Sequence, residues 1–412
     1  MSKDIPHGIS LVMAESPYPD SSHLPDLVAD RGPTRYFHGR TRIRNNFNEL
    51  LNQAMTRDGG TTMLIQGAPG AGKTALLEKM AMDALENRWD VFEINLGDLY
   101  NPLQFAQTLG KSYVTRKQTA TKVDARVLAR EHVKEVAGDT SVAQVLGNMR
   151  PKHGVVLILD EAQRIGRFSG TPNEIPVMGT LDTLHNGKLP HPVILLAAGL
   201  GTTSKSFGSL GISRFKGGCF VALGALVKDS ERAVIRDWVK KEGGAKGDPT
   251  AWIDAIAQKT HGWPQHITAY GDAAAKQIQK DHGDMTPAGL DVVYRLGMER
   301  REAYYHQRAE EISRKERRSL ARLITHVSIR DGLDKEDIEE ALSQEYGPVK
   351  AQDLFNRALD RGILHSQDGV YTVPIPSIHN WLVSNYGREG ISFPHAPQTS
   401  PAFREQNPGR ER

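Results

Sequence analysis

The chain has 412 residues, a formal net charge of +3 and a single cysteine, Cys219. Its length exceeds one ordinary core and points to two or three domains. The near-even charge excludes a globally basic nucleic-acid binder, so any such surface is local. One cysteine excludes an internal disulfide framework and a cysteine-built zinc site, and it fits a reducing cytosol.

Residues 1–35, punctuated by Ser16-Pro17-Tyr18-Pro19, read as an arm with little regular structure. Their apolar run, Ile9 to Ala14, is too short for a signal sequence, and no stretch approaches the ~20 apolar residues of a membrane helix. A soluble, cytoplasmic protein without membrane contact is expected. An amphipathic helix over 42–55 follows, with Ile43, Phe47, Leu50, Leu51 and Ala54 on one face. The apolar run 61–66 predicts a strand, 74–86 a helix, and 91–96 a second strand. Helices are expected over 101–113 and 124–149. Val155 to Leu159 and Pro192 to Ala198 are continuous apolar runs of the kind found in strands buried on both faces, and 219–223 is a weaker one. Strands alternating with helices predict a parallel sheet covered on both faces. Beyond Lys228 the strand signal stops, and helices are expected over 228–242, 249–259, 264–280 and 286–312.

Between the first strand and the next helix lies Gly67-Ala68-Pro69-Gly70-Ala71-Gly72-Lys73-Thr74, a match to G-x-x-x-x-G-K-[ST] in the context that motif requires. Glycines let backbone N–H groups turn toward phosphate oxygens at the positive end of a helix. Lys73 suits the β- and γ-phosphates of ATP, and the Thr74 hydroxyl suits Mg²⁺. Val155 to Leu159 delivers Asp160 and Glu161 to a strand end. Asp160 is the candidate second magnesium ligand and Glu161 the candidate base that orients water. A glutamate beside the aspartate favours hydrolysis over phosphoryl transfer. The two motifs are expected to meet at adjacent strand ends.

These residues and others resemble the AAA+ superfamily, nearest the branch of origin-recognition ATPases, ExeA/TnsC-type bacterial ATPases and related STAND ATPases. Phe37-His38-Gly39-Arg40 resembles the box that lies beside the adenine in such domains. Asp160-Glu161-Ala162-Gln163 resembles a D-E-A-Q second motif. Leu195 to Leu200 followed by Gly211-Ile212-Ser213-Arg214-Phe215 resembles an "AGL" strand end with "G-I-S-R". Gly262-Trp263-Pro264 resembles a G-x-P turn of the lid. The likeness covers most of 36–386. It implies that Phe37, Gly39, Arg40 and Pro264 border the nucleotide, and that Arg214 is either an arginine finger reaching a neighbouring subunit or an ordinary surface arginine. The sensor-1 region would lie at Ala198–Gly199, with Thr202 and Thr203 just beyond, although the usual polar residue is missing there. No arginine occupies 262–266 where a sensor-2 residue would stand, which favours slow or partner-stimulated turnover.

Residues 313–386 pattern as three helices and a hairpin. The helices bury Leu320, Leu323, Ile324 and Val327, then Ile338 and Leu342, then Leu354, Phe355, Ala358 and Leu359, and the strands flank Asp368-Gly369. The order is that of a winged helix. Lys350, Gln352, Asn356, Arg357 and Arg361 on the third helix offer contacts to double-stranded DNA, while the acidic second helix equally suits a docked protein or packing against the chain itself. The predicted architecture is therefore α/β, a P-loop NTPase (AAA+-type) parallel sheet sandwiched by helices, then an α-helical lid and a winged-helix module. Its divisions are an arm (1–35), a nucleotide-binding domain (36–227), a lid (228–312), the winged helix (313–386) and a tail (387–412). Three functions stay open: an ATP-driven switch that assembles with its own copies and acts on DNA or a DNA-processing complex, a STAND-like regulator whose C-terminal module docks a protein partner, or a non-enzymatic nucleotide-binding scaffold, against which Glu161 argues.

Overall fold

The apolar runs that lack alternation form the centre of a parallel sheet, because both their faces are covered by helices. The computed structural model describes residues 36–56, 60–95, 142–187, 189–213, 215, 218–329, 332–367 and 369–387. The arm, the tail beyond 387, the helix expected over 101–113, most of that over 124–149, and Arg214 lie outside the described residues. Strands β1 (Gly60–Gly67), β2 (Asp90–Asn95), β3 (Val155–Asp160), β4 (Val193–Gly199) and β5 (Phe220–Leu223) pair in the order β2-β3-β4-β1-β5, all parallel. Gln66 pairs with Gly199 and Leu159 with Ala197, so β1, β4 and β3 finish almost level. Ligand sites of open α/β sheets lie at such carboxyl ends.

The register corrects one expectation. The strands that carry the P-loop and Asp160 are not neighbours, because β4 runs between them. All seven residues of β4 are buried, as a strand paired on both edges and covered on both faces requires.

Helices α1 (Thr41–Ala54) and α2 (Lys73–Glu86) cover one face of the sheet through Phe47, Leu51, Leu76, Met80 and Ala84. The other face is covered by α3 (Val142–Asn148), a 3₁₀ helix (Ala162–Phe168), α4 (Glu174–Asn186) and α5 (Thr203–Ser209). The sequence did not announce the last three elements. In α4, Val177, Leu181 and Leu184 keep an i, i+4, i+7 stripe, but Pro176, Gly179 and three threonines and asparagines dilute the helical signal, and Ile175 faces solvent.

Four helices follow with a core of their own. They are α6 (Lys228–Asp237, extended by a π turn Trp238–Glu242), α7 (Thr250–Thr260), α8 (Pro264–Lys280) and α9 (Pro287–Ala309). They close around Trp238, Trp252, Ile256, Tyr270 and Val293. Prolines open α8 and α9 at the position where a missing N–H costs nothing, and the Thr286 hydroxyl caps α9 by accepting from Gly289 N–H at 3.0 Å.

The remainder comprises α10 (Arg314–Ile329), α11 (Lys335–Tyr346), α12 (Pro348–Asp360), the antiparallel pair β6 (His365–Gln367) and β7 (Val370–Thr372), and α13 (Ile378–Tyr386). A reciprocal capping box starts α10: Ser313 N–H donates to Glu316 Oε2 at 2.8 Å, and Glu316 N–H to Ser313 Oγ at 3.4 Å. The apolar residues of this region, among them Leu320, Ile324, Phe355 and Trp381, are continuous with the α1–α2 face of the sheet in one buried cluster. The C-terminal region is thus docked on the P-loop side of the protein. Among the described residues no helix is long and apolar enough to cross a membrane.

Candidate nucleotide site

The turn from β1 to α2 carries Gly67 to Lys73. Gly70 (φ +78°) and Gly72 (φ +87°) take the left-handed conformation that a side chain disfavours. Lys73 is buried, and its Nζ donates to the carbonyls of Gly67 (3.0 Å) and Ala68 (3.2 Å), folding the side chain back along the loop. Thr74 Oγ1 donates to Asp160 Oδ2 at 2.9 Å, bridging the strands on either side of β4. Burial pushes the Asp160 carboxyl above its usual range, and the adjacent Glu161 charge adds to this. The Glu161 N–H, Lys73 and Thr74 pull the other way without cancelling it. A carboxylate so enclosed gains from a neighbouring cation. Glu161 follows at φ +53°, a left-handed residue that starts the 3₁₀ helix. Its Oε2 accepts from Gln163 Nε2 at 2.7 Å.

The start of α8 and the side of α9 pack over the P-loop. Gln265 N–H donates to Gly70 O at 3.2 Å, Tyr304 OH donates to Pro69 O at 2.6 Å, and the Pro264 ring stands 3.5 Å from where a Gly72 Cβ would be. Arg40 reaches the same loop from the other side, donating to Gly224 O at 2.5 Å and Ala71 O at 3.5 Å. Gly39 lies against Ser230 of α6, and Phe37 packs half-buried on the main apolar cluster. Of the residues the sequence assigned to the nucleotide, Arg40, Gly67 to Thr74, Asp160, Glu161 and Pro264 thus lie on or beside the P-loop and the β3 end, whereas Gly39 and Phe37 contact α6 and the main apolar cluster.

The C-terminal region supplies a further wall that the sequence did not foresee. Gln66 Nε2 donates to Ser366 O at 3.2 Å. His365 Nδ1 lies 3.0 Å from where a Cβ of Gly201 would be, just past β4. Burial, and next the Lys73 charge, push the His365 ring below the ordinary histidine value. Four side-chain atoms in this surround, Gln66 Oε1, Trp263 Nε1, Gln265 Oε1 and His365 Nδ1, are buried without a hydrogen-bond partner. Three of them, on Gln66, Trp263 and Gln265, belong to residues at the glycine loop, with His365 at the neighbouring β4 exit, and such a grouping of unpaired polar atoms fits a polar ligand such as a nucleotide. Lys73, Thr74 and Asp160 also fit, as the cationic and hard-oxygen groups that a magnesium triphosphate needs. Tyr304 and His365 lie more than 230 and 290 positions from the P-loop, and no local pattern marks them.

Two expectations about α12 meet a different environment. Arg357 Nη2 pairs with Glu316 Oε1 at 2.6 Å and Nε with Asp353 Oδ2 at 2.9 Å, and Arg361 pairs with Glu311. Both guanidiniums tie α12 back to the α9–α10 junction, leaving Lys350 and Asn356 exposed on that helix.

Fold and glycine-loop geometry together are those of a P-loop NTPase, a parallel sheet sandwiched by helices. Residues 36–173 match the family model described as the AAA ATPase domain. Among solved structures, the chain is similar to the Walker-type ATPase of Pyrococcus abyssi, with 17% identity, a TM-score of 0.56, and coverage of 86% of this chain and 99% of that one. It is also similar to the ADP form of the Aeropyrum pernix ORC2 protein, with 13% identity, a TM-score of 0.50, and coverage of 87% and 97%. Both likenesses concern the fold. Comparison with curated proteins gave no match.

Proposed function

We propose that the protein binds ATP with magnesium and hydrolyses it as a molecular switch. The observation that carries this reading is the 2.9 Å contact between Thr74 and Asp160, with Glu161 beside it at the sheet's carboxyl edge. Lys73 would leave its loop carbonyls for the β- and γ-phosphates, while Thr74 and Asp160 would hold Mg²⁺. The metal, when bound, neutralises charge on the phosphates. Glu161 would take the proton of the attacking water. Turnover is slow or partner-stimulated in this reading, because the lid meets the P-loop through the neutral Tyr304, Trp263 and Gln265 rather than through an arginine. ATP-dependent assembly with its own copies, through Arg214, is the working step, with DNA or a DNA-processing complex as the target of a winged-helix module at 313–386. Titration calorimetry with ATP and ADP, with magnesium or with EDTA, coupled to phosphate release, tests it. Absence of nucleotide uptake would remove the reading.

The contacts of Ser366 with Gln66 and of His365 with the β4 exit favour the second reading for that module. In it, residues 313–386 hold the site closed until a protein partner draws them away, as a STAND-like regulator would. The ion pairs of Arg357 and Arg361 support this over DNA contact by those two residues. A salt titration of DNA affinity in both nucleotide states separates the two, because phosphate contacts weaken steeply with salt.

A further inference from the structure

The end of β4 has no room for a side chain. A Cβ on Gly199 would lie 2.2 Å from Thr203 Oγ1, 2.6 Å from Gln163 Oε1 and 2.9 Å from Gln163 N. The polar side chains at this strand end therefore come from its neighbours, Thr203 of α5 and Gln163 of the 3₁₀ turn. Gln163 Oε1 accepts the Leu200 N–H at 3.1 Å, and Gln163 Nε2 donates to Glu161 Oε2 at 2.7 Å. These two partners fix which way the amide faces, since a backbone N–H only donates and a carboxylate only accepts. The turn is itself pinned, because Ser206 Oγ donates to the Gln163 carbonyl at 3.1 Å.

We propose that Gln163 is a positioning residue that sets the Glu161 carboxylate and couples it to the end of β4. The inference rests on the nucleotide reading above and assigns a residue for which that reading has no role. Glu161 has two further rotatable bonds beyond Cβ, and its left-handed backbone alone does not aim them. The Gln163 amide occupies one carboxylate oxygen and leaves the other for water. Because the same amide is held by Leu200 N–H, any shift of the β4 exit, where Thr202 and Thr203 begin α5, moves the base with it. Positioning of this kind acts on the chemical step and not on ground-state binding.

Gln163→Met keeps the length and bulk but removes both hydrogen bonds. Gln163→Glu keeps an acceptor for Leu200 N–H and loses the donor to Glu161. In both variants kcat for ATP is expected to fall by about 10- to 100-fold, with ADP affinity and melting temperature close to wild type. In a Glu161→Gln background, Gln163→Met should cause no further loss, since it acts through the group already removed. Turnover within twofold of wild type in either variant overturns the proposal. So does an additive loss on Glu161→Gln, or a parallel drop in ADP affinity and stability. If the wild-type protein takes up no ATP, the nucleotide reading fails first and this inference falls with it. Wild-type turnover with an unaffected Gln163→Met sinks the inference alone.

Discussion

Gly362, at the end of α12, lies so close to Pro69 of the P-loop that a methyl group on it would stand 2.1 Å from Pro69 Cδ. Gly362 also has φ +68°, so it is doubly intolerant of a side chain. Gly362→Ala is expected to lift the C-terminal region off the P-loop, seen as faster hydrogen exchange over 362–372 and faster ADP release. Unchanged exchange there would mean that the contact yields without separating the two regions.

In the proposed nucleotide reading, the P-loop and the β3 end have separable roles. Lys73→Ala should weaken ATP binding by at least about 100-fold, because the ammonium is the buried cation of the loop. Glu161→Gln should bind ATP as wild type does and slow phosphate release by about 100-fold or more. Calorimetry and single-turnover assays distinguish these outcomes.

Tyr304→Phe leaves the Pro69 carbonyl without its 2.6 Å donor. One lost hydrogen bond of this kind is worth about 1 kcal/mol. The expected result is a small drop in melting temperature together with faster nucleotide release, measured by fluorescent-nucleotide chase, since the bond fastens the lid to the loop.

At Glu316, burial opposes the charge, but hydrogen bonds from Arg357 and Ser313 outweigh it and hold the carboxyl down to about 2. Its contribution to stability is therefore full above the unfolded value near 4.5 and is lost as the pH falls toward 2. Arg357→Ala should cost about 1–3 kcal/mol, between exposed and fully buried pairs. If α12 contacts DNA, Lys350→Ala should weaken binding in low salt, whereas Arg357→Ala should act mainly on unfolding.

His266 is fully buried and its Nε2 meets Tyr305 OH at 3.1 Å. Burial, then the Arg301 charge, lower its value to about 3. The unfolded chain takes up a proton near pH 6.5 and the folded one does not, so stability present above that pH erodes below it. Between pH 6.5 and 5 the loss is about 2 kcal/mol. Urea melts across this range should show a steeper pH slope for wild type than for His266→Gln.

How much of this was legible beforehand follows from where the information lies in the chain. The strands announced themselves because burial on both faces leaves unbroken runs such as Val155 to Leu159. The P-loop announced itself because its chemistry is contiguous. The helices between 228 and 309 matched their expected spans within a few residues, since each has its own apolar stripe, whereas α13, which follows the C-terminal hairpin, was not expected. Strand order was not legible: nothing local says that β4 slides between the P-loop strand and β3. Gln163 was visible as a letter in a motif, but its partners, Glu161 and the Leu200 N–H, required the fold. The outward reach assigned to Arg357 failed for a similar reason. Helical spacing gives a face and does not reveal that Glu316 of α10, two helices earlier, waits beneath it.

The bare backbone at Gly199 carries an evolutionary corollary. A side chain at this strand end would meet Thr203 of α5 as well as the side chain and backbone of the 3₁₀ turn, so a relative that grew an asparagine there would have to change at both neighbours. Glycine at 199, glutamine at 163 and threonine at 203 should then be inherited together.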